Sequence, residues 1–351
     1  MAADIISQSY HPLHRQYDIV ERMSKFACRE VGERLVSFQY PNDAATSCTT
    51  SPNLINAMDS NRLKGRSPYP FETIAVALAF SPRLEGVLSE ARQLAHTFKA
   101  KLLLIHVGKR SPEKEATLRE LCANGGMGGE VQIIWGNGDP VTTLLEICKG
   151  HMVDLLILGA RRRESVFRYY LGSVARGLSR RAKCSILLLT EPEISGTSFR
   201  KVVVDCVDHP KTPHTLNTAV YFAGGVGAPE IRAVREVDPE GLAMVMAVDS
   251  TTDENDQLKA HLAENGEAKL QELLAATPKT GPVVETAVLF GRPGFAIRGY
   301  AEECDADLLV INSPDGRYRL MDRIFTHDLE YILEHLPCNM LIVHSRLAEG
   351  S

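Results

Sequence analysis

From residue 71 onward, short apolar runs alternate with longer amphipathic stretches, the pattern of a parallel sheet covered by helices. The runs TIAVALA (73–79), KLLLIHV (101–107), EVQIIW (130–135), VDLLILGA (153–160) and CSILLLT (184–190) predict five strands, with a helix in each of the four gaps. In the second gap Ser111 stands at an N-cap and Pro112 at the first helical position, and Glu113 and Glu115 place negative charge near the positive end of the helix dipole. Lys114 occupies the position where a full capping box would carry Glu or Gln.

The pattern then starts again. Pro82 corresponds to Pro210 at an offset of 128, whereas Gly138 and Asp154 correspond to Gly291 and Asp307 at an offset of 153, so the second copy carries 25 extra residues. They fall between its second and third strands, where there is room for a longer connection and a longer helix. The sequence therefore predicts an α/β protein of two tandem domains, 71–192 and 199–346, each a five-stranded parallel sheet with helices on both faces. Residues 1–70 form an N-terminal extension, with an amphipathic helix expected over 13–35 and a linker over 41–70. The connector TEPEISGTSF (190–199) is short, so the two copies are expected to pack together. The last strands, SILLLT and NMLIV, are almost wholly apolar and would invite aggregation as open edges. They are expected to pair across the two copies or between chains.

Composition narrows the function classes. With 351 residues, 44% hydrophobic and 24% charged, the chain is too apolar for a disordered protein and long enough for two domains plus an extension. A net charge of −5 gives no global attraction to nucleic acid or anionic lipid, and neither is expected as a partner. No run reaches the length of a membrane span and the start MAADIISQSYHPLHRQ lacks a signal-peptide core, which predicts a cytoplasmic protein. The eight cysteines (28, 48, 122, 148, 184, 206, 304, 338) contain no C-x-x-C pair, and most of them read as buried thiols. No Ser, His and Asp arrangement or metal-ligand spacing stands out, so no catalytic residue and no metal are assigned. His106 reads as a packed, hydrogen-bonded histidine, and Asp208-His209 before Pro210 as a turn and helix entry.

After the fourth strand, Gly159 is followed by ARRRESVFRYYL and then by Gly172-Ser173 opening another helix. At these residues the chain resembles the universal stress protein family, whose ATP-binding members carry G-x2-G-x9-G-[S/T] between the fourth strand and the last helix. Gly159 fills the first position, Arg162 stands at the second, and Gly172 and Ser173 fill the third and fourth. The likeness extends to GDP (138–140), LLIHV (103–107) and the Cys-led last strands, and it covers 71–346. It implies an adenine-nucleotide α-hydrolase-like fold and, as cofactor, ATP or another adenine nucleotide held by Gly159, Arg162, Gly172 and Ser173, with backbone near Val107 at the adenine. The physics agrees: glycines let backbone N–H groups approach phosphate, and a helix N-terminus with a hydroxyl adds donors. The guanidinium of Arg162 either grips phosphate or fills the groove. Ala79 stands where ATP-binding relatives have an aspartate at the end of the first strand. In the second copy the motif positions are Asn312, Asp315, Phe325 and Thr326, so that copy is expected to have lost phosphate binding.

Charge separates the copies as well. Residues 159–183 hold eight basic residues against Glu164 alone, whereas 312–337 hold three arginines against five carboxylates. The resemblance implies a tandem universal stress protein, a regulatory or binding module with nucleotide in the first domain only. Its implied partners are the two domains for each other, or a homodimer through the last strands, together with a protein partner. One alternative is an interaction scaffold in which neither copy binds nucleotide. Another is an enzyme of the ATP-pyrophosphatase or nucleotidyl transferase group, which the stretch AFSPRLEG after the first strand disfavours, since those enzymes carry a glycine-serine phosphate loop there.

Overall fold

The computed structural model describes residues 49–50, 68–124, 131–163, 168–170, 172–196, 199–238, 252–278, 281–314 and 331–346. The helix expected over 13–35, most of the 41–70 linker, Cys28, Cys48, Asp315, Phe325 and Thr326 lie outside them. Residues from Cys48 onward form one compact unit.

In chain order the first copy contributes β2 (Thr73–Ala77), α1 (Leu84–Thr97), β3 (Lys101–Val107), α2 (Pro112–Asn124), β4 (Val131–Gly136), α3 (Pro140–Gly150), β5 (Leu155–Gly159), α4 (Ser173–Arg181) and β8 (Ser185–Leu189). The second contributes β9 (Lys201–Asp205), α5 (Thr212–Val226), β10 (Glu230–Val237), α6 (Thr252–Ala275), β11 (Val283–Phe290), α7 (Phe295–Glu303), β12 (Leu308–Asn312) and β13 (Asn339–Val343). Three short strands have no signal in the periodicity: β1 (Thr49–Thr50), and the hairpin pair β6 (Arg161–Arg163) and β7 (Arg168–Tyr170).

All but the hairpin join one eleven-stranded sheet in the order β1-β4-β3-β2-β5-β8-β13-β12-β9-β10-β11. Within each copy the strands are parallel, which needs helical crossovers and buries both faces; the central strands are accordingly unbroken apolar runs, with all five residues of β8 and all five of β13 buried. One face packs under α1, α2, α5 and α6, through residues such as Leu88, Leu118, Leu216 and Leu270. The other packs under α3, α4, α7 and the helical turn at 331–334, through Leu144, Leu178, Ile297 and Leu333. The start read at Ser111-Pro112 is there: α2 opens at Pro112, and Ser111 Oγ accepts the Lys114 N–H at 3.3 Å. The extra length of the second copy contains the 24-residue helix α6 against 13 residues in α2.

Strand β5 begins two residues later than the apolar run suggests because Asp154 turns its carboxylate to the backbone. Its Oδ2 accepts the N–H groups of Glu72 and Thr73 at 2.8 and 2.9 Å, tying the start of β2. Asp307 does the same for Arg200 and Lys201, both at 2.8 Å.

The copies meet where β8 runs antiparallel to β13, with Leu187 opposite Leu341. Both residues stand three places after the strand-leading cysteine, Cys184 or Cys338, so a pseudo-twofold axis passes through this pair. The ends of the pairing are matched too: Asn339 Oδ1 accepts Thr190 N–H at 2.9 Å, and Ser185 Oγ accepts His344 N–H at 3.3 Å. Ile186, Leu187, Leu188, Met340, Leu341 and Ile342 are at most 1% exposed. Burial of each such side chain contributes about 1.5 to 3 kcal/mol, against about 0 to 1 for an exposed ion pair such as Arg176 with Glu334 at 3.8 Å. Apolar burial therefore dominates the junction. A ring cluster adds to it: Phe98, just past the end of α1, lies 5.1 Å from Tyr221 and 5.6 Å from Phe222 of α5. The approach is close enough that a Cβ on Gly225 would stand 2.3 Å from the Phe98 ring.

A buried ion pair closes the chain end. Arg346 donates to Asp154 Oδ1 and to the Val153 carbonyl, each at 2.9 Å, with the side chains 2% and 0% exposed. Removing one partner strands a buried charge. Arg346→Met should cost about 3 to 5 kcal/mol in urea unfolding, and Arg346→Met with Asp154→Asn should cost less than the two changes added. An unshifted midpoint in Arg346→Met would show the pair to be dispensable.

Candidate functional site

In an open parallel sheet, ligands bind beyond the carboxyl ends of the strands at the point where the chain switches faces. In the first copy that point lies between β2, which leads to α1 on one face, and β5, which leads to α4 on the other. The equivalent point in the second copy lies between β9 and β12.

At the first switch point Gly159 ends β5, and a Cβ there would stand 3.3 Å from Val87 Cγ2 of α1. Its backbone is not left-handed, so its use is close approach. Arg162 sits on β6 directly opposite Tyr169 on β7, so the stretch between Gly159 and Gly172 contains an antiparallel hairpin. Gly172 is the N-cap of α4 in extended backbone (φ −66°, ψ 165°), and as a glycine it brings no side chain of its own to the helix start. Ser173 is the first helical residue and is exposed. Val107 ends β3, paired with Gly136 and packed toward α3. Ala79 is exposed just past β2.

Around the ends of β2, β3 and β4 the space is occupied by rings. His106 lies edge-on to Phe80 at 4.9 Å and to Trp135 at 5.3 Å. His106 is buried, its Nδ1–H donates to the Leu78 carbonyl at 2.9 Å, and Lys114 Nζ stands 3.4 Å from its Nε2. This is the packed histidine that the sequence suggested. Lys114 also lies 5.2 Å from the Phe80 ring centre, so the rim is basic over an aromatic floor.

One residue pair was missed by sequence reasoning. Arg83, in the loop after β2, donates from Nη1 to the Ala160 carbonyl just past β5 at 2.7 Å, bridging the switch point. Lys211 makes the equivalent contact in the second copy: its Nζ donates to the Ser313 carbonyl at 2.9 Å and to Ser313 Oγ at 3.3 Å. The offset that relates Pro82 to Pro210 relates Arg83 to Lys211, and the one that relates Asp154 to Asp307 relates Ala160 to Ser313. Aligning the loops residue by residue would have found them.

The second switch point is filled further. Asn312, at the place of Gly159, donates to Thr212 Oγ1 at 3.0 Å and accepts from Thr215 Oγ1, while Thr212 Oγ1 donates to the Val207 carbonyl at 2.7 Å. Thr212, Thr215 and Lys211 are all buried. Glu236, the counterpart of Val107, accepts the Gly294 and Ile297 N–H groups at 2.9 and 2.6 Å and so occupies the start of α7 with a carboxylate. Asp208 pairs with Lys269 and with Arg235 at 3.2 Å, and the Lys269 contact chiefly holds its carboxyl below the usual range. Lys211 N–H bonds His209 Nδ1 at 3.1 Å, which makes Asp208-His209 a turn.

Burial pushes Cys206 up to about 12, and the neighbouring Cys184 thiol together with burial raises Cys148 as well. Among the described residues no group of three or more His, Cys, Asp or Glu side chains could hold a metal. No helix among them is long and apolar enough to cross a membrane.

With this geometry in place, the comparisons bear on the class of protein. The profile of the universal stress protein family matches residues 108–190 and again 199–344. The chain belongs to that family, in a tandem-domain form. It is similar to a functionally unknown protein from Pseudomonas aeruginosa PAO1, with 16% identity over 81% of this chain and 94% of the other and a TM-score of 0.56. It is also similar to a universal stress protein from Archaeoglobus fulgidus DSM 4304, with 17% identity over 80% of this chain and 98% of the other and a TM-score of 0.55. At such identities these neighbours speak for the fold. No curated protein matches the chain.

Because the thiolate is the reactive form, Cys148 and Cys206 should resist alkylation by iodoacetamide at pH 8 in the folded protein and react fully in urea. Peptide mapping by mass spectrometry reads both states, and rapid native labelling of Cys206 would contradict its burial.

Proposed function

We propose that the chain is a binding and regulatory module of stress response, not a metabolic enzyme, and that it takes an adenine nucleotide in its first domain only. The observation that carries this reading is the contrast between the switch points. The second is filled by Lys211 with Ser313 and by Asn312 with Thr212 and Thr215. The first has a glycine, Gly159, at the place of Asn312, and α4 opens beside it at Gly172, an N-cap with no side chain of its own. A helix start offers N–H donors and positive potential to phosphate. Gly172 and Ser173 supply these donors, Gly159 and Arg162 flank the phosphates, and the backbone at Val107 faces the adenine. Its partners are its own copies or other proteins, because a net charge of −5 gives no general pull toward nucleic acid or membrane.

Titration of the full chain with ATP by calorimetry tests this. Gly172→Val should abolish binding by blocking backbone approach, whereas Asn312→Asp in the second domain should leave it unchanged. Loss of binding in the second-domain variant, with folding intact, would overturn the assignment. Arg162→Gly should weaken binding about tenfold to a hundredfold, the effect of about 1.5 to 3 kcal/mol for a charge-assisted contact, and more so at low salt.

A second reading has its own observation. Arg83 already spans the first switch point, and Ala79 offers no carboxylate to a ribose. On that reading neither domain binds nucleotide and the protein works as a scaffold. It requires that ATP give no heat with the native chain, and that Arg162→Gly with Ala79→Asp create binding.

A further inference from the structure

The sheet has two outer edges, and they are not alike. At the first-copy end, β4 is covered by β1, with Thr49 opposite Gln132 and Thr50 opposite Ile133. The counterpart of β4 in the second copy is β11, which pairs along its full eight residues with β10 and, among the described residues, with no strand on its other side. Its sequence, VVETAVLF, carries one charge, Glu285, and its end residues Val283 and Phe290 are 65% and 45% exposed. A long, nearly uncharged strand with a free row of N–H and C=O groups is a template for another strand. The last strands cannot serve for association between molecules, because β8 and β13 are spent on each other within the chain.

We propose that β11 is a dimerisation edge, and that it pairs antiparallel with β11 of a second copy of this chain. The sheet already joins its two halves in this way at β8 and β13, about an axis through equivalent residues. A twofold axis perpendicular to a sheet preserves its faces, so residues opposite each other must lie on the same face and therefore have the same parity. Val284 and Val288 belong to the face under α6, where Thr286 Oγ1 donates to Glu267 Oε1 at 2.7 Å, and Ala287 and Leu289 belong to the other face. Centring the pairing on Thr286 satisfies the parity. Thr286 then meets Thr286 and Val284 meets Val288 on one face, while Val283 meets Leu289 and Glu285 meets Ala287 on the other. These are favourable β-branched and Thr–Thr cross-strand pairs, and the two Glu285 carboxylates never oppose each other. Centring on Ala287 instead would set each Glu285 against Leu289. Such a contact uses the same patch on both molecules and so stops at the dimer.

This surface is separate from the proposed nucleotide site, and its test uses no nucleotide. Sedimentation equilibrium of the full chain should show a concentration-dependent dimer. Thr286→Lys, which opposes two ammonium groups at the centre, should weaken it at least about tenfold with an unchanged circular dichroism spectrum. Under mild oxidation Thr286→Cys should cross-link between chains, since directly opposite Cβ atoms stand about 4.5 to 5.5 Å apart, and Glu285→Cys should do so poorly. Peptide mapping separates this link from the native thiols. A monomer at every concentration, a dimer indifferent to Thr286→Lys, or preferential linkage through position 285 would overturn the proposal. If Thr286→Lys disturbs the fold, the cross-linking pattern decides.

Discussion

The constraint on which this architecture rests is that two wholly apolar strands must not end in water. β8 and β13 are buried on both faces, and their backbone groups have to be satisfied by another strand. Pairing them antiparallel solves both problems and turns two open sheets into one. Everything beyond the junction follows its geometry. The pseudo-twofold axis brings α1 beside α5, so their aromatic rings interlock. It also carries the end of the second copy back over the first, where Arg346 meets Asp154. Apolar burial supplies the strength, and the hydrogen bonds of Asn339 and Ser185 at the two ends fix the register.

How much of this was legible in the sequence depended on what kind of physical signal each part leaves. The alternation of strands and helices, the duplication and the Ser111-Pro112 helix start were legible because periodicity and capping are local. Boundaries slipped where a side chain competes with the ladder, as at Asp154, whose carboxylate binds two backbone N–H groups of β2 instead of letting β5 begin at residue 153. The β6 and β7 hairpin left no signal because its arginines have no apolar alternation. β1 left none because two threonines make no pattern. At the candidate site, Gly159, Gly172 and Ser173 were picked through the family resemblance, whereas the Arg83 to Ala160 contact joins residues 77 apart and leaves only the trace that aligning the loops of the two copies reveals.

Duplication makes the second domain an internal control for the first. Both keep a basic residue after the first strand and turn it on the carbonyl just past the fourth, Arg83 on Ala160 and Lys211 on Ser313. That shared contact needs no ligand and stabilises the loop by itself. What differs is the ring of groups around it. In the second domain a glycine position has become Asn312, locked by two buried threonines, and the Val107 position has become Glu236, whose carboxylate takes the N–H groups at the start of α7. Each change ties a loop or a helix start to a side chain of the domain itself, as Asp139 already does for the start of α3 in the first domain. A buried polar group left unpaired costs about 1 to 3 kcal/mol, so each of these groups is held by a partner within the domain. By this comparison Gly159 is the informative feature of the first domain: where the second domain locks Asn312 between two threonines, the first keeps a backbone with no side chain.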